Sequence, residues 1–393
     1  MARYNANGTL DTTFGTTGIV FTNLSSDQDL ANSVGIQSDG KIVVVGSQRV
    51  VTATSAYYQA EIIRYNMNGS LDSTFGSGGS VLNASVAGAG PLIIQSDGKL
   101  LVGAGNAGLS MARFLPSGQL DTSFGTNGVV SGYVPPGISG CGTINVLLKS
   151  DGTIFDIGRS GYATLTMAHF SSTGQLDPTF GNGGWVVDSN LGFAGPAAFA
   201  SNGDLLVAGT DQILYPAHFA AEAFLPSGAL DTSFGTNGRV TTSFGSTDDG
   251  IKSMVVQSDG RIVAGGYSGG TGSVPYRFAL ARYMPPPPVI GSFTASPNPV
   301  SASSTTTLTV SNLTDPNAGG SIIQVAIYLD SNGDGALEPG SDTLVGYATQ
   351  TSPGVWTLNY TVNLTPGTYT LFAQAKDNYS LFSDPFALSL TVQ

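Results

Sequence analysis

The stretch that decides the fold is GQLDTSFGTNG, Gly118–Gly128, because the chain writes it again as GALDTSFGTNG at Gly228–Gly238. Further copies stand at Gly8 (GTLDTTFGTTG), Gly69 (GSLDSTFGSGG) and Gly174 (GQLDPTFGNGG). The aspartates of the phrase, Asp11, Asp72, Asp121, Asp177 and Asp231, are 61, 49, 56 and 54 residues apart. A second phrase alternates with the first: QSDGK at Gln37 and Gln95, KSDGT at Lys149, ASNGD at Ala200 and QSDGR at Gln257. A period of about 55 residues lies in the range of blades and solenoid coils.

Each repeat carries four apolar, strand-like runs. In the second they are PLIIQ (Pro91–Gln95), KLLVGAG (Lys99–Gly105), LSMARFL (Leu109–Leu115) and VVSGY (Val129–Tyr133), separated by SDG and by the LDTSFG phrase. Short β-rich runs broken by Asp-Gly and Ser-Gly turns read as hairpins. Four short strands per repeat make the blade of a β-propeller. Five repeats therefore predict an all-β, five-bladed β-propeller over residues 1–284. The opening MARY matches a third strand, and GIVFT (Gly18–Thr22) a fourth. The fifth repeat stops after its third strand, FALARYM (Phe278–Met284), so GIVFT is expected to pair there and close the ring, leaving MARY redundant with Ala281–Tyr283.

Composition agrees. Of 393 residues 54 are Gly and only 10% are charged, which suits tight turns and short strands. Lys and Arg number 14 against 26 Asp and Glu, a net charge of −12. That balance excludes nucleic-acid and anionic-membrane partners, which reward basic patches. Cys141 is the single cysteine, so no internal disulfide forms, and no Cys/His cluster has zinc spacing. No run of 18 apolar residues spans a membrane, and no apolar signal segment follows Met1.

The LDxxFG phrase and the DGKI-type hairpin, recurring in order over residues 1–284, resemble the bacterial delta-60 repeat family. The departures are Asn202-Gly203-Asp204, and Ala223 where other repeats carry Arg or His. The resemblance implies a large secreted or surface protein of bacteria and no defined activity.

In an antiparallel blade the one-to-two and three-to-four turns share one face. Here that face is monotonous. The opposite face varies from repeat to repeat, and variable loops on a rigid scaffold are where binding concentrates. Its loops hold Tyr57, Tyr58, Tyr133, Tyr162, Phe193, Tyr215, Tyr267 and Tyr276. Aromatic faces with polar neighbours suit a glycan or a protein partner. The inner strands NSVGIQ, PLIIQ, INVLLK, PAAFA and KSMVVQ carry no acid, whereas propeller glycosidases need paired carboxylates there. Asp29 and Asp249, in the loops before the first and fifth inner strands, are the candidates to meet across the ring. The readings are thus a non-enzymatic binding or adhesion module, a carbohydrate-active enzyme using loop carboxylates, or a purely structural cell-envelope unit. All three are extracellular, as a monomer or part of a longer chain.

Pro285–Val289 is a stiff linker. Residues 290–393 hold seven strand candidates with alternation such as Val325-Ile327-Leu329, the pattern of an immunoglobulin-like sandwich without its disulfide. They resemble bacterial surface Ig-like modules. Between two of the strands lies DSNGDGALEPGSD, Asp330–Asp342. Asp330, Asn332 and Asp334 followed by Gly335 match the first half of a calcium loop; Ala336 would offer its carbonyl, with Glu338 and Asp342 beyond it. The expected cofactor is structural calcium.

Overall fold

The computed structural model describes residues 1–24, 29–51, 56–83, 88–104, 108–161, 164–200, 202–212, 216–246, 248–258, 260–270, 275–284, 287–316, 320–378 and 381–393. Every named element is a β-strand, and two compact units make up the chain.

Residues 29–283 form five antiparallel sheets in chain order, most of them in the first unit. Sheet I holds β1 (Asp29–Ile36), β2 (Ile42–Val51), β3 (Ala56–Tyr65) and β4 (Ser80–Asn83). Sheet II holds β5 (Ala89–Ile94), β6 (Leu100–Ala104), β7 (Leu109–Phe114) and β8 (Val129–Tyr133). Sheet III holds β9 (Gly142–Leu148), β10 (Ile154–Ser160), β11 (Thr164–Phe170) and β12 (Trp185–Asp188). Sheet IV holds β13 (Ala197–Phe199), β14 (Leu205–Thr210), β15 (Phe219–Phe224) and β16 (Arg239–Thr242). Sheet V has three strands, β17 (Asp249–Val256), β18 (Ile262–Ser268) and β19 (Arg277–Tyr283).

Both faces of a middle sheet are buried, which is why its strands read as near-continuous apolar runs. Val43, Val45, Ala60 and Ile62 of sheet I pack on Leu100, Val102 and Ala112 of sheet II. The next residues along, Leu101, Leu109 and Met111, pack on Ile154, Ala168 and Phe170 of sheet III.

The repeated phrase is a clasp between consecutive sheets. Within it, Asp121 Oδ1 accepts the Ser123 hydroxyl (2.6 Å) and N–H (3.1 Å), fixing the turn. Asp121 Oδ2 takes Arg113 Nε from β7 at 2.8 Å. The Arg113 guanidinium lies 4.5 Å from the centre of the Phe124 ring and donates at 2.6 Å to the Ser172 carbonyl of the next repeat. Arg64, Asp72 and Phe75 repeat the arrangement, with Arg64 donating to the Pro116 carbonyl. His169 takes the arginine's place against Asp177 (2.9 Å). Across each joint a glycine N–H crosses to the following phrase: Gly15 to Asn68, Gly76 to Ser117, Gly125 to Thr173 and Gly181 to Ser227, at 2.7–3.0 Å. Phe14, Phe75, Phe124 and Phe180 are at most 2% exposed. Each ring lies against the first glycine of the next phrase, where an added Cβ would come within 2.9–3.1 Å. The second phrase joins in through Lys41 Nζ, 2.9 Å from Asp72 Oδ2, and Lys99 Nζ, 3.4 Å from Asp121 Oδ2.

One expectation is corrected. Residues 18–22 do not pair with β19. Ala2 pairs antiparallel with Ile19, and the Val20 N–H donates to the Met1 carbonyl (2.8 Å). MARY makes isolated bridges, Ala2 to Ile19 and Tyr4 to Leu10, and is held by its own clasp, with Arg3 Nε 2.8 Å from Asp11 Oδ2, while sheet V has three strands among the described residues.

In the second unit, β20 (Ser292–Ser296), β21 (Thr305–Ser311), β25 (Val355–Thr361) and β24 (Thr349–Ser352) form one sheet in that order. The other runs β23 (Thr343–Tyr347), β22 (Ile322–Leu329), β26 (Gly367–Asp377), β27 (Phe386–Val392). The stretch TLVGYATQ (Thr343–Gln350) is divided between two strands, β23 and β24, one in each sheet. Phe293, Leu308, Val310 and Trp356 from one sheet and Val325, Ile327, Leu371 and Leu390 from the other share one core.

Candidate functional site

The two-to-three and four-to-one loops emerge at the same end of their sheets, opposite the clasps. At that end the segment between β12 and β13 is pinned to β14. Gly192 and Thr210 exchange backbone hydrogen bonds (2.8 Å each), and the Gly195 N–H donates to the Ala208 carbonyl (3.0 Å). Between these anchors Phe193 is held at φ 44°, a conformation that costs a non-glycine residue energy, with its ring 38% exposed. Beside it opens a cleft of about 500 Å³ lined by Asn145, Arg159, Phe193, Pro196, Lys252 and Met254, from sheets III, IV and V. An aromatic edge, an amide and two cations on backbone-pinned elements make a surface that can bind. The described lining carries no carboxylate.

The other sequence-derived residues divide. Tyr57 and Tyr58 are exposed on β3, and Tyr58 borders a second cleft of about 290 Å³ with Asn32 and Ser47. Tyr133 is half-buried: its ring packs edge-on to Phe170 (5.4 Å) and beside Trp185 (6.2 Å), against the core between sheets II and III. Tyr162 and Tyr215 lie outside the described residues. Tyr267 and Tyr276 meet edge to face at 5.2 Å, and both hydroxyls donate to Asp248 (3.4 and 2.8 Å). They sit on the face of sheet V that carries Phe278 and Leu280, around a largely apolar cleft of about 650 Å³.

Asp29 and Asp249, the candidate acids of the ring, begin β1 and β17. Each closes its own loop by accepting the N–H five residues upstream, from Leu24 (3.0 Å) and Phe244 (2.9 Å). Asp249 is fully buried and also accepts the Ser246 hydroxyl.

Sequence reasoning missed three buried acids, each a lone carboxylate in an apolar strand: Glu61, Asp156 and Glu222. Burial, then the charge of Asp29, pushes Glu61 up to about 7. Glu61 Oε1 has no hydrogen-bond partner, and the residue lines a cavity of about 130 Å³ with Asp29, Thr22 and Tyr65. Burial likewise pushes Glu222 up to about 7, helped by Asp188 and opposed by Arg239. Asp156 is driven well above the carboxylate range by burial, although Oδ2 accepts the Thr143 hydroxyl (3.1 Å).

In the Asp330–Asp342 loop the side chains converge, chiefly on backbone. The N–H groups of Gly333 (2.7 Å) and Gly335 (3.1 Å) donate to Asp330, and that of Ala336 (2.9 Å) donates to Asp334. The Asn332 amide donates to Asp334 Oδ2 (2.9 Å) and Glu338 Oε2 (3.1 Å), so it stands between two carboxylates. Asp342 turns to the Ser331 and Glu338 N–H groups. Among the described residues no group of three or more acids, histidines or cysteines is arranged around a metal position.

The family model described as "Domain of unknown function (DUF5122) beta-propeller" matches residues 1–14, 37–75, 95–124 and 257–285, the segments that carry the two phrases. Those segments are similar to that β-propeller family's model. None of the curated proteins matches the chain in sequence. Among solved structures the chain is similar to a protein of unknown function from Bacteroides caccae, at 16% identity and TM-score 0.38 over 65% of this chain and 77% of that one. It is similar to PorZ, a surface component of the type-IX secretion system of Porphyromonas gingivalis, at 10% identity and TM-score 0.36 over 96% of this chain and 61% of that one. It is also similar to the polysaccharide lyase Uly1, at 8% identity and TM-score 0.36 over 99% and 94%.

Proposed function

We propose that the five sheets are the blades of a five-bladed β-propeller, that residues 290–393 form an Ig-like spacer, and that the propeller is a non-enzymatic binding module outside a bacterial cell. Its ligand, a glycan or a protein, is received at the variable-loop end. The observation that carries this reading is the cleft around Phe193, whose aromatic, amide and cationic lining suits stacking and hydrogen bonding, with no acid–base pair in it. The extracellular location rests on the resemblance of the repeats. Calcium at the Asp330–Asp342 loop belongs to the same proposal, with Asp330, Asp334 and Glu338 as its carboxylate donors.

The test is a glycan array and polysaccharide pull-down, with reducing ends monitored. Retention without new reducing ends, reduced at least tenfold in Phe193→Ala and weakened in Lys252→Gln, is the expected result. New reducing ends would replace this reading by catalysis. No retention of any glycan or protein would leave an architectural role.

One observation favours the enzymatic alternative. Glu61 holds its proton near neutrality beside Asp29 in a small cavity, an arrangement that general acid–base chemistry uses. Turnover abolished by Glu61→Gln, with the fold intact, would establish it.

A further inference from the structure

One buried carboxylate is not required by the repeat. Three residues before the Arg or His of each third strand, or before Ala223 in its place, stand Glu61, Ser110, Thr166, Ala220 and Ala279, all buried. Four repeats fill this position with a small side chain, so the fold itself has no use for an acid there. Glu61 is 3% exposed, and its Oε1 has no hydrogen-bond partner. A buried carboxylate oxygen left unsatisfied costs free energy, so an acid kept in that state points to a ligand.

The surroundings say which kind. Glu61, Ile63 and Tyr65 alternate along β3, facing Gly46, Val44 and Ile42 of β2. Tyr65 and Ile42 form a small core with Phe14, and Val20, Val44 and Ile63 pack against it. At Glu61 the apolar row ends and the cavity of about 130 Å³ opens. That volume holds about four waters at roughly 30 Å³ each, room for an ion with part of its hydration shell. Asp29 supplies a second carboxylate to the lining. Thr22 and Tyr65 bring two hydroxyls, joined by a hydrogen bond from Tyr65 to Thr22 (2.7 Å). Opposite Glu61, the Leu30 carbonyl oxygen fills the place that a Cβ on Gly46 would take, so a backbone oxygen reaches the same face.

A buried glutamate elsewhere shows what compensation looks like in this protein. Glu222, also on a third strand, has Arg239 Nε and Nη2 at 2.9 and 2.8 Å from its Oε1. The described lining around Glu61 has no Lys, Arg or His side chain, and the Met1 amino group donates to the Val20 carbonyl (2.7 Å). Two carboxylates with oxygen-only neighbours suit a hard cation, and their two negative charges are balanced by a divalent one.

We propose that this cavity is a calcium site, with Glu61 and Asp29 as its carboxylate donors and the oxygens of Thr22, Tyr65 and Leu30 available to the rest of the shell. Calcium there ties residues 20–22 to β1 and β3. The site is separate from the Asp330–Asp342 loop and goes beyond the ligand cleft around Phe193, on which it does not depend.

The experiment is calorimetric titration of Ca²⁺ into the full chain carrying Asp334→Ala, which disables the other candidate calcium loop, at pH 8. One equivalent of binding is expected, weakened at least tenfold by adding Glu61→Gln and, in a separate chain, Asp29→Asn. Gln and Asn keep the side-chain shapes, and Asn retains an oxygen for the Leu24 N–H; circular dichroism checks that both variants keep their sheets. Absence of calcium binding overturns the site. So does binding that neither variant weakens, which would place the ion elsewhere. Binding weakened by only one of the two variants overturns the shared two-carboxylate site. Failure of glycan or protein retention leaves the titration unaffected, so the two readings fall separately.

Discussion

Removing one carboxylate from one clasp gives a direct measure of what the phrase contributes. Asp121 is 6% exposed, accepts from Ser123, Arg113 and Lys99, and is held down to about 2 from an ordinary 3.8. The Ser123 hydroxyl is the largest cause of that shift, ahead of the Ser123 N–H and the Arg113 charge. That depression corresponds to about 2 kcal/mol of native-state preference for the ionised form. Asp121→Ala also strands the buried Arg113, and losing one partner of a buried pair costs about 3–5 kcal/mol. The expected destabilisation at pH 7 is therefore about 2–4 kcal/mol. Trp185 shares a core cluster with Phe124, so its fluorescence in a Trp356→Phe background reports this joint during urea unfolding. Because the folded value is depressed, the stabilisation is complete above the unfolded value near 4. It disappears as pH falls through about 2. The gap between wild type and variant must close over that window. Asp231→Ala is the internal control: Ala223 stands in its arginine slot, and Asp231 caps only Ser233, so about 1 kcal/mol is expected. A cost below about 0.5 kcal/mol for Asp121→Ala, or a gap unchanged from pH 7 to pH 2, would refute the clasp as an energetic unit.

Gly174→Ala forces a Cβ to within 2.9 Å of the Phe124 ring at φ +80°, and a loss of about 2–4 kcal/mol is expected in the same assay. Glu61→Gln has the opposite sign. Its folded value near 7 lies above the ordinary 4.5, so wild type loses stability as pH rises from 4.5 to 7. The variant should exceed it by about 1–3 kcal/mol at pH 8 and match it at pH 4, as read by urea midpoints. At the Asp330–Asp342 loop, calcium at a hundred times its dissociation constant should stabilise the C-terminal domain by about 2.7 kcal/mol. The effect should be lost on adding chelator and in Asp334→Ala; a melting temperature indifferent to calcium would remove the metal from the loop.

Much of the fold was legible because it is written in local chemistry. Asp-Gly turns, the Asp–Ser/Thr cap and alternating or continuous apolar runs act over a few residues, and they recur in every repeat. The split of Thr343–Ser352 into β23 and β24 was not legible, since one apolar run does not record where the chain changes sheets. Among candidate ligand residues, an aromatic in a loop-adjacent strand looks the same whether it faces solvent or packs, as Tyr133 does, beside Phe170 and Trp185. Glu61, Asp156 and Glu222 were visible as single acids in apolar strands, but their burial depends on neighbouring sheets.

By itself, the sequence determined an all-β chain of five repeats, the turns that start and stop its strands, and a net charge of −12. Those follow from backbone geometry and composition, which act locally. Tertiary structure alone decided what the phrase is for, that Asp29 and Asp249 serve separate loops, and that MARY rather than β19 holds residues 18–20. Each of these depends on which surfaces meet after the strands have formed. Ala2–Tyr4 and Ala281–Tyr283 are identical in sequence, yet the first bridges to Ile19 and the second ends β19.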